Sequence, residues 1–213
     1  MNDSDHRFAS VMAGRIGVVT VALDGTISDG VAEGLTVLPG AFNPLHRGHE
    51  GMLTAAMGIT GNAGVFELSI VNVEKPELPE AEVRERISQF TGRYIVLISR
   101  APTFLEKSRI MPGASFVIGY DTAVRLFDDR YYPAYQREMD PENTGSATLA
   151  AMSEIRRNGC NFIVAGRVTR YGFKTVRDLE IPDGYRPMLR GIPMEEFRED
   201  ISSTQIRRSL ETD

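Results

Sequence analysis

Two short segments hold most of the side chains in this chain that could do chemistry. The first is Leu38-Pro39-Gly40-Ala41-Phe42-Asn43-Pro44-Leu45-His46-Arg47-Gly48-His49, which follows an apolar run and precedes a stretch of helical spacing. Where a strand gives way to a helix, small residues such as Gly40 and Ala41 leave peptide N–H groups open to an approaching anion. His46 and His49 are three apart, so on a first helical turn they project the same way. Gly48 lies between them, where a larger side chain would obstruct a base or ribose against the helix. A plain helix cap built on the Asn43-Pro44 turn is the alternative. Metal ligation is a third reading, for which the chain adds only His6 and the distant Cys160 as nitrogen or sulfur ligands.

The second segment is Ile201-Ser202-Ser203-Thr204-Gln205-Ile206-Arg207-Arg208. Ser202 and Gln205 match a capping box. Arg207 lies three residues after Thr204 and four after Ser203, so these groups share one face near a helix N-terminus. Hydroxyls, amides and a guanidinium would there meet an anion together. Two such sites at opposite ends of one domain suit a single polyphosphate held between them.

The pairing of Gly-Ala-Phe-Asn-Pro-Leu-His-Arg-Gly-His with Ile-Ser-Ser-Thr-Gln-Ile-Arg resembles the nucleotidyltransferase superfamily of cytidylyltransferase-like fold. Both signature motifs stand in order and at the right separation, and the resemblance covers roughly residues 36–210. Phe-Glu-Leu-Ser-Ile-Val-Asn-Val-Glu-Lys-Pro and Ala-Pro-Thr-Phe-Leu-Glu-Lys are similar to a branch related to nicotinamide-mononucleotide adenylyltransferases. The resemblance implies a Rossmann-like, doubly wound α/β fold and transfer of a nucleotidyl group, adenylyl favoured, from a nucleoside triphosphate to a small phosphorylated acceptor. A pyridine mononucleotide is the acceptor it favours, with pyrophosphate released and Mg²⁺ carried on the triphosphate. A cytidylyltransferase acting on an alcohol phosphate, or a nucleotide-binding module without activity, are the alternatives.

The same resemblance assigns roles. His46, His49 and Arg207 become the catalytic groups. Gly40, Ala41, Phe42, Gly48, Gly119, Asp121, Arg167, Ser203 and Thr204 fall on the nucleotide, with Gly119-Tyr120-Asp121 similar to a Gly-x-Asp that contacts ribose. Asn43, Lys75, Phe104 and Tyr120 fall on the acceptor. Each has a plainer reading: Asp121 as a helix cap, Lys75 as a surface lysine, Cys160 as an inert buried thiol. Relatives that bind nicotinamide nucleotides often stack the pyridine on tryptophan, and this chain has none. Phe104, Tyr120 or Tyr132 would have to supply the flat face. Leu23-Asp24-Gly25-Thr26 resembles the haloacid-dehalogenase loop, but Ala22 stands where the nucleophilic aspartate is needed.

These groups need elements to position them. Leu35–Leu38 is a short apolar run and Phe66–Val73 reads as a strand, while Tyr94–Ile98, Phe116–Ile118 and Phe162–Ala165 are near-continuous apolar runs, as expected of strands buried on both faces of a parallel sheet. Helical spacing follows at Met52, Leu53, Ala56 and Met57, then from Pro79, and around Phe104–Ile110, Asp121–Leu126 and Thr148–Arg157. Alternation of this kind predicts right-handed βαβ units with ligands beyond the carboxyl ends of the strands. Residues 1–35 read as an N-terminal extension with an extra edge strand at Ile16–Val21, ahead of a transferase domain over 36–213. Arg130–Ser146 reads as a long ordered loop.

Composition sets the remaining bounds. The 213 residues are 42% apolar and 25% charged, as expected of one globular domain. With 29 acidic against 24 basic side chains the formal charge is −5, which disfavours general nucleic-acid binding. No apolar run approaches the roughly 20 residues of a membrane span. The polar start lacks the pattern of a signal peptide, and the single Cys160 predicts a reducing, cytoplasmic setting. A homo-oligomer is compatible with all of this.

Overall fold

The near-continuous apolar runs become neighbouring strands of one sheet. The protein is seen here as a computed structural model, which describes residues 3–73, 76–131 and 146–198. The chain begins with α1 (Asp3–Met12), β1 (Val18–Val21), β2 (Ile27–Asp29), β3 (Thr36–Pro39), α2 (Arg47–Thr60) and β4 (Gly64–Ser69). It continues through α3 (Glu80–Ser88), β5 (Val96–Ser99), α4 (Phe104–Ile110), β6 (Ser115–Gly119) and α5 (Tyr120–Arg125). Then come α6 (Ala147–Arg157), β7 (Asn161–Ala165), the hairpin strands β8 (Arg167–Thr169) and β9 (Gly172–Lys174), and β10 (Leu189–Gly191).

Eight strands form the main sheet in the order β10-β7-β6-β3-β4-β5-β1-β2. The six from β10 to β5 are parallel, and β1 and β2 continue the sheet antiparallel. The chain runs outward from β3 through β4 to β5, then returns to place β6 on the other side of β3. That reversal is the switch point where ligands of open α/β sheets bind, and the order is compatible with a Rossmann-like fold.

Strand alternation splits the core into two layers. Val37, Val65, Leu97, Phe116, Ile118 and Phe162 face α4, α5 and α6. Leu38, Phe66, Leu68, Ile98, Val117 and Ile163 face α1, α2 and α3. Both faces are covered, which is why the interiors of these strands are mostly apolar.

Residues 3–29, read from sequence as an extension, pack on this same sheet. Phe8 and Val11 of α1 are buried in the second layer beside Val19, Val21 and Ile27. Ser4 Oγ accepts the Ile27 N–H at 3.0 Å, and Arg7 pairs with Asp29 of the edge strand β2 at 3.2 Å. The segment 18–29 thus extends the parallel sheet past β5, and α1 lies over the added strands. Of the predicted loop, residues 132–145 lie outside the described residues. Its flanks are joined: Asp129 Oδ1 accepts from Ser146 Oγ and from the Thr148 amide at the start of α6. Among the described residues no helix is long and apolar enough to cross a membrane.

Candidate functional site

The turn between β3 and α2 is shaped by Phe42. Its backbone lies in the left-handed region at φ 45°, uncommon for a residue with a large side chain, and its ring is 1% exposed. The ring meets Phe66, Phe90 and His49 edge-on, with centroids 5.3, 5.2 and 5.1 Å away. Gln89, just after α3, holds the turn from both sides: its Nε2 donates to the Phe42 carbonyl at 2.9 Å, and its Oε1 accepts the Leu45 N–H at 2.8 Å. Arg86 Nη1 donates to the Ala41 carbonyl at 2.8 Å. Burial and these bonds offset the cost of the φ, commonly about 1–3 kcal/mol.

Two of the predicted site residues have structural roles here. Phe42 is a core residue, its ring buried among His49, Phe66 and Phe90. Gly40 lacks a side chain because of that ring, since a Cβ there would lie 2.7 Å from two Phe42 ring atoms. The Phe42 ring thus accounts for the missing side chain, while Gly40 itself still borders the cavity beyond the strand ends.

His46 is the N-cap residue of α2, and His49 lies three positions on. The His46 N–H donates to His49 Nδ1 at 3.3 Å, so the neutral imidazole carries its proton on Nε2. The two rings are stacked, with centroids 3.7 Å apart and planes 22° from parallel. Burial, then the neighbouring His46, lowers the His49 pKa to about 4. His49 is therefore an uncharged N–H donor at neutral pH. Stacked rings do not converge on a metal as two ligands would, and among the described residues no group of three or more His, Cys, Asp or Glu is placed to hold one.

Beyond the carboxyl ends of β3, β4 and β6 lies a cavity of about 790 Å³. Gly40, Ala41, Asn43 and His49 line it on the α2 side, with Arg86 close by from α3. Phe104 and Lys107 line it on the α4 side, and Gly119 at the β6–α5 turn. A Cβ on Gly119 would meet nothing within 4 Å, so the backbone there is open. Behind Lys107 lies a buried ion pair: its Nζ donates to Glu67 Oε1 at 2.6 Å and Oε2 at 2.8 Å. Ser99 Oγ also donates to Glu67 Oε1.

The remaining predicted residues are placed elsewhere. His46 stands behind His49 at the cap, and Gly48 is buried within α2. Tyr120 packs, partly buried, against the first core layer. Asp121 and Arg167 form an exposed ion pair at the adjacent ends of β6 and β7. Asp121 does not cap α5, because Gly119 is its N-cap residue. None of Phe42, His46, Gly48, Tyr120, Asp121 and Arg167 is among the residues lining the cavity. Cys160 is buried, its thiol pKa raised by desolvation. Lys75, Tyr132, Ser202, Ser203, Thr204 and Arg207 lie outside the described residues.

Sequence reasoning passed over Glu67, Lys107, Arg86 and Gln89. Glu67 did leave a signal. A carboxylate in the middle of Val65-Phe66-Glu67-Leu68, a strand buried on both faces, requires a buried cation as partner. Lys107, three residues after Phe104 on the same helix, is that partner. Compared with known proteins, the chain matches no family model, and no curated protein matches its sequence.

Proposed function

We propose that this chain is a nucleotidyltransferase, moving a nucleotidyl group, adenylyl favoured, from a nucleoside triphosphate to a small phosphorylated acceptor. The observation that carries the reading is the cavity at the β3/β6 switch point, with the His49 donor on one side and an apolar face with polar groups on the other. A pyridine mononucleotide is the acceptor that the resemblance favours, and Phe104 is the aromatic face available to it in this cavity.

The acceptor phosphate is the nucleophile and is already ionised at neutral pH. One of its oxygens attacks the α-phosphorus in line, a new P–O bond forms, and the bond to the β-phosphate oxygen breaks. Pyrophosphate leaves with that electron pair. No general base and no covalent intermediate is required, so the protein's part is positioning and neutralising charge. His49, with its proton on Nε2, donates to a triphosphate oxygen without changing its own charge. Arg86, its guanidinium paired with Glu82 and bonded to the Ala41 carbonyl, holds the turn that presents His49. Mg²⁺ enters with the triphosphate, where it neutralises phosphate charge. Ser203, Thr204 and Arg207 are assigned to the outer phosphates by the motif alone. Phe197 packs near Gly51, early in α2, so the described chain approaches its end beside the helix that carries His49.

The test is pyrophosphate release with ATP or CTP and Mg²⁺ against nicotinamide mononucleotide, nicotinate mononucleotide, phosphocholine and glycerol 3-phosphate. Turnover with at least one pair, abolished by Arg207→Ala, is the expected result. Triphosphate binding without turnover in any pair replaces the enzyme with a nucleotide-binding module.

A further inference from the structure

We infer that the α4 end of the cavity receives an uncharged hydrogen-bonding group of the acceptor, a carboxamide in preference to a carboxylate, and that Lys107 is the residue that discriminates. The inference rests on the reading above for the word acceptor, but the chemistry of the subsite stands on the Glu67–Lys107 pair.

Lys107 keeps only 6% of its side chain exposed, and Glu67 keeps none. Both carboxylate oxygens of Glu67 accept from Lys107 Nζ, so two of the three ammonium N–H bonds are committed and the charge is compensated at once. Ser99 Oγ fixes the carboxylate from behind. Both members of the pair line the cavity. Stability gives no reason for a buried ion pair here, since apolar residues of similar size are often as good or better.

The neutralised ammonium has one N–H left to give, and it is suited to a carbonyl oxygen. Phosphate is poorly served, because the pair as a whole carries no net charge. A carboxylate would add a third, uncompensated charge beside Glu67 in a poorly solvated end of the cavity, where like charges repel strongly. Phe104 lines the cavity one helical turn earlier on α4 and is held edge-on by Phe116 and Phe162, with centroids 5.4 and 5.3 Å away. One helix therefore offers a flat apolar face with a compensated N–H donor beyond it. An aromatic ring bearing an amide matches that order; an aromatic acid does not.

Calorimetric titration of the whole protein, with Mg²⁺ and α,β-methylene-ATP present, compares nicotinamide mononucleotide with nicotinate mononucleotide. The amide is expected to bind about tenfold or more tightly than the acid, a modest ratio for a site that reads one polar group. Glu67→Gln leaves the Lys107 charge uncompensated and should reverse the preference toward the acid. Should that variant fail to fold, the double substitution Glu67→Leu, Lys107→Met removes both charges and should bring the two affinities together. Equal affinities in the unaltered protein, tighter binding of the acid, no binding of either, or a preference that survives the double substitution would each overturn the inference. Pyrophosphate release reports on the broader reading separately. Transfer to the acid alone sustains nucleotidyl transfer and rejects the amide subsite, whereas a clear amide preference without turnover does the reverse.

Discussion

His49 connects folding to chemistry through its protonation state. Folded, its pKa is about 4 against an ordinary value of 6.5, so below pH 6.5 the unfolded chain binds a proton that the folded chain does not. The stability from keeping His49 neutral is fully present above that value and is lost as pH falls toward 4. Denaturant midpoints at pH 7 and at about pH 5.5, where carboxylates are still largely ionised, should therefore differ, and His49→Gln should shrink the difference. An unchanged difference would place the acid sensitivity elsewhere. In turnover His49→Ala, which removes the N–H that glutamine could still supply, should lower kcat by about 100-fold or more, as loss of one preorganised donor commonly does. A separate residue-scale expectation concerns Gly40. Gly40→Ala drives a methyl into the Phe42 ring and should cost about 1–3 kcal/mol by denaturation. Phe42→Leu in the same chain should recover part of that loss if the ring is what requires the glycine.

At the scale of elements, the β3–α2 turn is tied to α3 through Gln89, which serves Phe42 and Leu45 at once. Gln89→Leu leaves one carbonyl and one N–H of the turn without that partner, and should destabilise by about 1–3 kcal/mol. Because the turn sets where the helix carrying His49 begins, kcat should fall as well at temperatures where the variant is fully folded. Preserved kcat would make Gln89 a purely structural brace. The same turn shows how far sequence reading reaches. The Leu38–His49 segment announced a strand, a turn and a helix start, and all three are where the apolar run and the small residues put them. Phe42 could not be read as core, since its burial depends on Phe66 and Phe90 arriving from other elements. Strand Phe66–Val73 was legible but ends at Ser69, because Ile70, Val71 and Asn72 leave the sheet to line the cavity. Short pieces carried too little pattern: β8, β9 and β10 have three residues each, below what alternation can signal. The Glu67–Lys107 pair spans 40 residues of sequence and only the sheet brings it together. The mononucleotide titration against the Glu67 and Lys107 variants tests it.

Over the whole molecule, α1 and the strands β1 and β2 extend the sheet past β5, and none of their residues lines the cavity. Phe8 is 1% exposed among Val19, Val21 and Ile27, and the Arg84 guanidinium of α3 lies 4.0 Å from its ring centroid. Through that contact α1 braces α3, the helix that precedes Gln89 and carries Arg86. Phe8→Ala should cost about 3–5 kcal/mol, the usual range for a buried aromatic cut back to a methyl. A loss of that size would appear as a clear fall in melting temperature. The effect on the site should be small, because α3 is also held by Val83 in the core and by the Arg86 and Gln89 bonds to the turn. Nucleotide and acceptor affinities, measured well below the lowered melting point, should therefore match those of the unaltered protein. A weakened affinity with α1 truncated in this way would mean that the far edge of the sheet positions the cavity through α3. The first 29 residues would then belong to the site as much as to the fold.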